Sequence, residues 1–354
     1  MILVKSETIQ EYVEKGWWSE QTIGDLFLHW ADRRASELAV LDPPNQFEIC
    51  GCPPQQWTWH ELLGQVGRYA ALLSSQGLRK DDILVMQLPN SVEQHAIYLA
   101  CAITGIVVSP IPVQYRIHEI SHVMEITQAK LAMTTQHVGN FKAAQMWAEH
   151  AHLFPSLKSI WSLGQELPTG VQSLTTLLSQ TKAWDTSQIK DHMKVTNVSA
   201  HDVLTICWTS GTEAKSKGVP RNHNEWLIVG SSVSQAGELE EGAHLLIPFP
   251  FVNMAGVSTS LATWLLIGGT LHHHHPFDLA LFVEQMRAYP MDYSVAPPAI
   301  LNLLLKEPEK MAGVNLTRLK RIGSGGGPLT EWMMTEMKKQ FDIEVVNYFG
   351  SNEG

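Results

Sequence analysis

From residue 83 onward, short apolar runs of strand length alternate with amphipathic stretches of helical length, and this alternation constrains the fold more than any other feature. Residues 83–88 read as a buried strand, Pro89-Asn90 turns the chain, and residues 92–104 read as a helix stopped at Gly105. A second strand follows at 106–111, closed by Pro110 and Pro112, then a helix at 118–127 and a strand at 130–134. Upstream, Thr58-Trp59-His60-Glu61 is a capping box, with Leu62, Val66, Tyr69, Ala70 and Leu73 behind it at helical spacing. Thr8-x-x-Glu11 offers a similar cap for a short leading helix. Residues 154–200 are more polar and rich in turn signals, and are expected to connect two subdomains. A second alternating series then begins, with strands expected at 203–208, 244–248, 270–272, 293–296, 319–323 and 344–348. Helices are expected between them at 223–234, 258–266, 277–289, 298–306 and 331–341. Strands joined by crossover helices pair in parallel, so the pattern predicts an α/β fold, with one subdomain over 1–200 and another over 201–354.

With 354 residues, 44% of them hydrophobic and 17% charged, the chain can bury a large core. The formal net charge of −10 and the lack of a basic run argue against a nucleic-acid partner. An anionic ligand would have to be met locally, by backbone amides and a few lysines. No apolar stretch reaches the ~18–20 residues of a membrane span, and the first residues are too few and too quickly charged for a signal peptide. The four cysteines are scattered, and Cys50-Gly51-Cys52 lacks the second ligand pair of a zinc site, so the chain reads as a reduced cytoplasmic protein. Among His272, His273, His274 and His275, strand alternation puts only two on each face and no partner cluster is evident. That run reads as a solvated strand end rather than a metal site.

The segment with the most chemistry is Trp208-Thr209-Ser210-Gly211-Thr212-Glu213-Ala214-Lys215-Ser216-Lys217-Gly218. It leaves a strand and gathers hydroxyls, glycines and two lysines. Glycine lets backbone N–H groups close on an anion, hydroxyls add donors and lysine adds a point charge, which suits a polyphosphate. An ordinary polar loop is the alternative. The spacing is not that of a P-loop, because no Gly-Lys-Ser/Thr occurs. Gly323-Ser324-Gly325-Gly326-Gly327-Pro328 only faintly resembles a dinucleotide fingerprint, with Pro328 where its third glycine belongs.

These residues resemble the Thr-Ser-Gly-Thr-Thr-Gly-x-Pro-Lys-Gly-Val signature of the adenylate-forming (AMP-binding) superfamily, which includes acyl-CoA synthetases and aryl-acid ligases. The likeness extends to Gln87-Leu88-Pro89-Asn90-Ser91, to Gly325-Gly326-Gly327-Pro328-Leu329 and to Asn347-Tyr348-Phe349-Gly350-Ser351-Asn352-Glu353. It implies the large N-terminal domain of such enzymes, two stacked parallel-rich sheets with helices between and outside them. It also implies ATP-dependent activation of a carboxylic acid as acyl-AMP, then transfer to a thiol, CoA first and the phosphopantetheine of a carrier protein second. A non-catalytic nucleotide- or acyl-binding module is the alternative.

By the same resemblance Thr209, Ser210, Gly211, Thr212, Lys217 and Gly218 would embrace the β/γ-phosphates of ATP. Gly325, Gly326, Gly327 and Pro328 would line the adenine and acyl slots. Asn347 would meet the adenine edge, with Tyr348 and Gly350 beside it and Phe349 stacked on the base. Asn352 would bond the α-phosphate, and Glu353 would hold Mg2+. Phe251 and Asn253 align with a segment that gates the acyl pocket, with Gly325 opposite. Asn253 stands where the family often has His, and can serve either a substrate contact or a helix cap. His223 can contact phosphate, or cap or pack a helix. Ala214, Ser216, Phe349 and Asn352 depart from the family pattern without removing a charge. The family's ribose-binding Asp, hinge and small mobile domain would follow residue 354, so little or no turnover is expected of residues 1–354 alone.

Overall fold

The computed structural model describes residues 1–209 and 215–353. Fourteen strands are found among them: β1 Leu38–Leu41, β2 Gln56–Thr58, β3 Ile83–Met86, β4 Val107–Pro110, β5 Leu131–Thr135, β6 Ser159–Leu163, β7 Gln172–Ser173, β8 Val203–Trp208, β9 Gly218–Asn222, β10 His244–Ile247, β11 Thr270–His273, β12 Tyr293–Val295, β13 Arg321–Ser324 and β14 Glu344–Asn347. They form two seven-stranded sheets, ordered β14-β13-β12-β10-β11-β1-β2 and β7-β6-β5-β3-β4-β8-β9. Every pairing is parallel except β1 with β2 and β8 with β9. This is the doubly sheeted α/β architecture the sequence implies.

The sheets do not divide at residue 200. Strands β1 and β2 join the later strands through β1–β11, while β8 and β9 join the earlier ones through β4–β8. Each half of the chain thus lends strands to the other's sheet, and the two halves are interlocked by backbone hydrogen bonds.

The helix Val92–Thr104 lies in the layer between the sheets. All of its residues but Glu93 are buried, which is what a helix apolar on every side requires. Ser91 caps it, accepting from Gln94 N, and Gly105 ends it at φ +71°. The Thr58 capping box opens the helix Trp59–Ser75 as its sequence predicts. The first helix, Ser6–Glu14, starts before Thr8, so the cap expected there is not formed. The helix expected at 258–266 belongs to a longer rod, Met254–Val257, a π-helical turn Ser258–Thr263 and Trp264–Ile267. It packs so closely on the helix His223–Gly237 that a Cβ on Gly230 would lie 2.7 Å from Ala262 Cβ.

The histidine run is a correction to the sequence reading. His272, His273 and His274 are buried. Strand β11 is paired on both edges, and all four of its residues are buried, so both of its faces are covered and alternation exposes neither. His273 Nε2 lies 3.0 Å from His95 Nδ1, and His272 Nε2 lies 3.1 Å from His244 Nδ1. His274 is held between Gln285 and Asp278 N. No group of three or more metal-ligating side chains gathers here or elsewhere among the described residues.

Candidate functional site

The antiparallel pair β8–β9 carries the hydroxyl- and lysine-rich loop at its open end. Trp208 pairs with Gly218, and the loop base closes on itself. Thr209 N donates to Lys217 O (3.1 Å), Lys217 N donates to Thr209 Oγ1 (3.0 Å), and Ser216 Oγ donates to Thr209 O (2.5 Å). Thr209 and Lys217 therefore stand side by side, with the Lys217 side chain exposed. Gly218 is required by packing, since a Cβ there would sit 2.9 Å from Ile206 Cγ2. The expectations for Ser210, Gly211 and Thr212 lie outside the described residues.

Two residues that sequence reasoning passed over brace this base. His122 Nε2 is 2.7 Å from Ser216 O, and its ring packs on Trp208. Arg221 on β9 is buried and donates to Asn352 O over 2.9 Å, its guanidinium 5.7 Å from the Trp226 ring. Neither stands in a recognisable local pattern. Their roles arise from contacts across 94 and 131 positions of chain.

Asn352 ties the loop to two other segments. Its Nδ2 donates to Trp208 O (2.7 Å), one residue before the loop, and its Oδ1 accepts from Met254 N (2.8 Å). Met254 follows Asn253, whose Oδ1 accepts from Gly256 N (3.1 Å) and caps the short helix there. Of the two uses open to Asn253, the structure displays the cap. The Asn352 side chain expected on a phosphate is likewise engaged by protein at both of its polar atoms.

The glycine loop and the aromatic segment meet at the C-terminal ends of β13 and β14, where parallel sheets place ligand sites. Ser324 pairs with Asn347, and Tyr348 N donates to Ser324 O over 2.7 Å. A Cβ on Gly325 would lie 2.7 Å from Tyr348 O, so this approach admits only glycine. Gly326 turns the chain at φ +77°, and Gly326, Gly327 and Pro328 are exposed. Asn347 and Gly350 are also exposed. Tyr348 points inward instead, its hydroxyl 2.6 Å from that of Tyr293. Phe349 is fully exposed, an uncovered aromatic face beside the glycine loop. Glu353 is exposed, its N–H donating to Ser351 Oγ.

Phe251 is not at this surface. It is wholly buried, stacked on Tyr98 at 4.3 Å between centroids and packed on His95. Its N–H donates to Asn90 Oδ1, and its carbonyl accepts from Gln94 and Tyr98. Asn90 also donates to Phe249 O over 2.7 Å, so residues 249–251 are pinned to the first turn of the central helix. His223 is buried as well, and Ile23 N donates to its Nδ1 over 3.1 Å. Burial pushes the His223 pKa down to about 4, and that neutral acceptor is packing rather than a free contact for phosphate.

The loop base, the capped 253–254 turn, the glycine loop and the segment 347–353 thus converge around Asn352. An exposed lysine, an exposed aromatic face and an exposed carboxylate lie on the segments it joins. Comparison with known proteins points the same way. The chain is 26% identical over 304 residues to 4-coumarate–CoA ligase-like 9 of Arabidopsis thaliana, covering 84% of this chain and 50% of that protein. It is 24% identical over 353 residues to the medium-chain fatty-acid–CoA ligase of Escherichia coli (strain K12), covering 97% and 57%. The chain therefore spans about half the length of the curated relatives it matches. Its fold is shared with the inhibitor-bound N-terminal domain of FACL13 from Mycobacterium tuberculosis, at a TM-score of 0.71 and 21% identity over 93% of this chain and 76% of that one. The family model described as "AMP-binding enzyme" matches residues 27–354, and the chain belongs to that family.

Proposed function

We propose that this chain is the ATP- and carboxylate-binding part of an acid–thiol ligase that works through an acyl-adenylate. The observation that carries the reading is the convergence on Asn352, which joins the hydroxyl- and lysine-rich loop to the glycine and aromatic segments across 144 positions of chain. Thr209, Ser210, Gly211, Thr212 and Lys217 grip the β/γ-phosphates, and the exposed Lys217 supplies the positive charge. Phe349 stacks on adenine, with Asn347 and Gly350 at the base edge and Gly325, Gly326, Gly327 and Pro328 beneath it. The exposed Glu353 carboxylate suits Mg2+, which is held by one or two carboxylates together with substrate phosphates.

The chemistry this asks of the protein is electrostatic. A carboxylate attacks the α-phosphorus while charge grows on the departing pyrophosphate, so N–H groups and Lys217 must meet that charge. Asn352 acts in this scheme as a positioning residue, because its side chain is committed to Trp208 and Met254. Phe251 and Asn253 act on the acid from behind, by fixing the backbone of 249–254, and Gly325 supplies the close backbone approach opposite. The thiol acceptor is CoA, in keeping with the relatives named above; a carrier-protein phosphopantetheine is the other candidate.

Isothermal titration of Mg-ATP into residues 1–354 tests the reading. Binding that is weakened in both Lys217→Ala and Phe349→Ala is the expected result. Failure of Mg-ATP to bind, or equal affinity in wild type and both variants, would overturn it.

A further inference from the structure

Away from the candidate site, Cys50 and Cys52 flank Gly51 at the end of the short helix Gln46–Cys50. Both are free, and Cys50 Sγ donates to Gln46 O over 3.4 Å. Cys52 Sγ also reaches Cys50 O at 3.9 Å. Gly51 between them is in the left-handed region, φ +75° and ψ 7°. Residues two apart in extended chain lie about 7 Å apart, too far for a disulfide; a bend at the middle residue brings their Cα atoms into the ~4.4–6.8 Å that a disulfide spans. A glycine is needed to make that bend, and His137 Nε2 would sit only 2.8 Å from a Cβ there. Cys50 is buried while Cys52 is partly exposed, so the outer sulfur is open to a reagent and the inner one is protected.

We infer that Cys50 and Cys52 form a reversible thiol–disulfide site whose reaction partner is a low-molecular-weight disulfide. Cys52, as thiolate, attacks one sulfur of the small disulfide; a Cys52 mixed disulfide forms and one small thiolate leaves. Cys50, having lost its proton to solvent, attacks Cys52 Sγ, and the second small thiolate leaves. Two protein thiols are oxidised, one small disulfide is reduced to two thiols, and the two protons end on those thiols. The neighbouring Cys50 thiol and burial hold the Cys52 thiol above the ordinary range, so the first attack quickens as pH rises. The ring closed by cysteines two apart is small and strained, and strained disulfides are the readily reduced, reversible ones. Cys101 and Cys207 are fully enclosed, and burial raises the Cys207 pKa to about 12, so they serve as internal controls.

The test is incubation of the native chain with glutathione disulfide, followed by thiol counting and peptide mass analysis. Wild type is expected to lose two of its four thiols, and the peptide carrying Cys50 and Cys52 to become lighter by two hydrogen atoms. Excess dithiothreitol should restore all four. Cys50→Ser should instead retain glutathione on Cys52. The inference is overturned if wild type keeps all four thiols, if it accumulates a lasting glutathione adduct at Cys52, or if the thiols lost are Cys101 and Cys207. The wild-type thiol count decides the matter even if the variant does not fold.

Discussion

The side-chain amide of Asn352 donates to the carbonyl of Trp208 over 2.7 Å, fastening the end of the described chain to the strand that launches the lysine-rich loop. A second bond, from Met254 N to Asn352 Oδ1, makes the residue a three-way joint. Asn352→Ala removes both. At about 0.5–1.5 kcal/mol for each net hydrogen bond, the loss should be about 1–3 kcal/mol of stability. Urea denaturation measures it, and Mg-ATP affinity should fall alongside. An unchanged midpoint would mean that the joint carries no weight.

Lys217 makes a different prediction. Its side chain is exposed, so Lys217→Ala should leave the unfolding free energy from urea denaturation within about 0.5 kcal/mol of wild type. A charge-assisted bond is worth about 1.5–3 kcal/mol, so Mg-ATP affinity should drop roughly ten- to hundredfold by calorimetry. Lys217→Arg keeps the charge and should recover part of it.

Gly325→Ala tests the junction of the glycine loop with the aromatic segment. The new Cβ would sit 2.7 Å from the backbone oxygen of Tyr348, which cannot swing aside as a side-chain tip can. The segment at 347–349 must shift, at a cost of about 1–3 kcal/mol. Crystals of the variant should show that displacement, and nucleotide binding should weaken. Gly64→Ala, where nothing lies within 4 Å, is the matched control.

Stability should peak near pH 6.5, where the histidine limb ends and the decline due to Asp42 is no longer offset. His95 and His223 are fully buried, and burial lowers both from the usual 6.5 to about 4. The unfolded chain therefore binds more protons as pH falls from 6.5 toward 4, and stability drops through that window by up to about 3 kcal/mol for each group. His273, beside His95, is lowered too, and adds to the same limb. Asp42 works in the opposite direction. Burial lifts it from 3.8 to about 8 despite N–H bonds from Val92 and Gln55. The folded state then holds the extra proton, and stability declines as pH rises from about 4 to 8. Urea midpoints across pH 4–9 check both limbs, and His223→Asn, which keeps an acceptor for Ile23 N, should flatten the acid one.

Local pattern was enough to place most elements. The helices Val92–Thr104, Pro298–Lys306 and Glu331–Phe341 and the strand Val203–Trp208 have the limits that periodicity, caps and breakers give them. The segments of the candidate site were legible for the same reason, because glycine, hydroxyl, lysine and aromatic residues are clustered along the chain. Pairing was not legible. Leu38–Leu41 is four residues long, too short to show a period, and only its bonds to β11 and β2 make it a strand. The histidine run had the composition of a solvated end, but the layers covering both faces of its strand buried it. Asn352, Asn253 and Phe251 were readable as neighbours of the chemistry; the Asn253 cap, three residues from its partner, was legible too, whereas that Asn352 is a brace and Phe251 is core depends on partners about a hundred or more residues away. Spacing along a chain encodes which face a residue presents, whereas what that face meets is set only when the two sheets close over their shared helices.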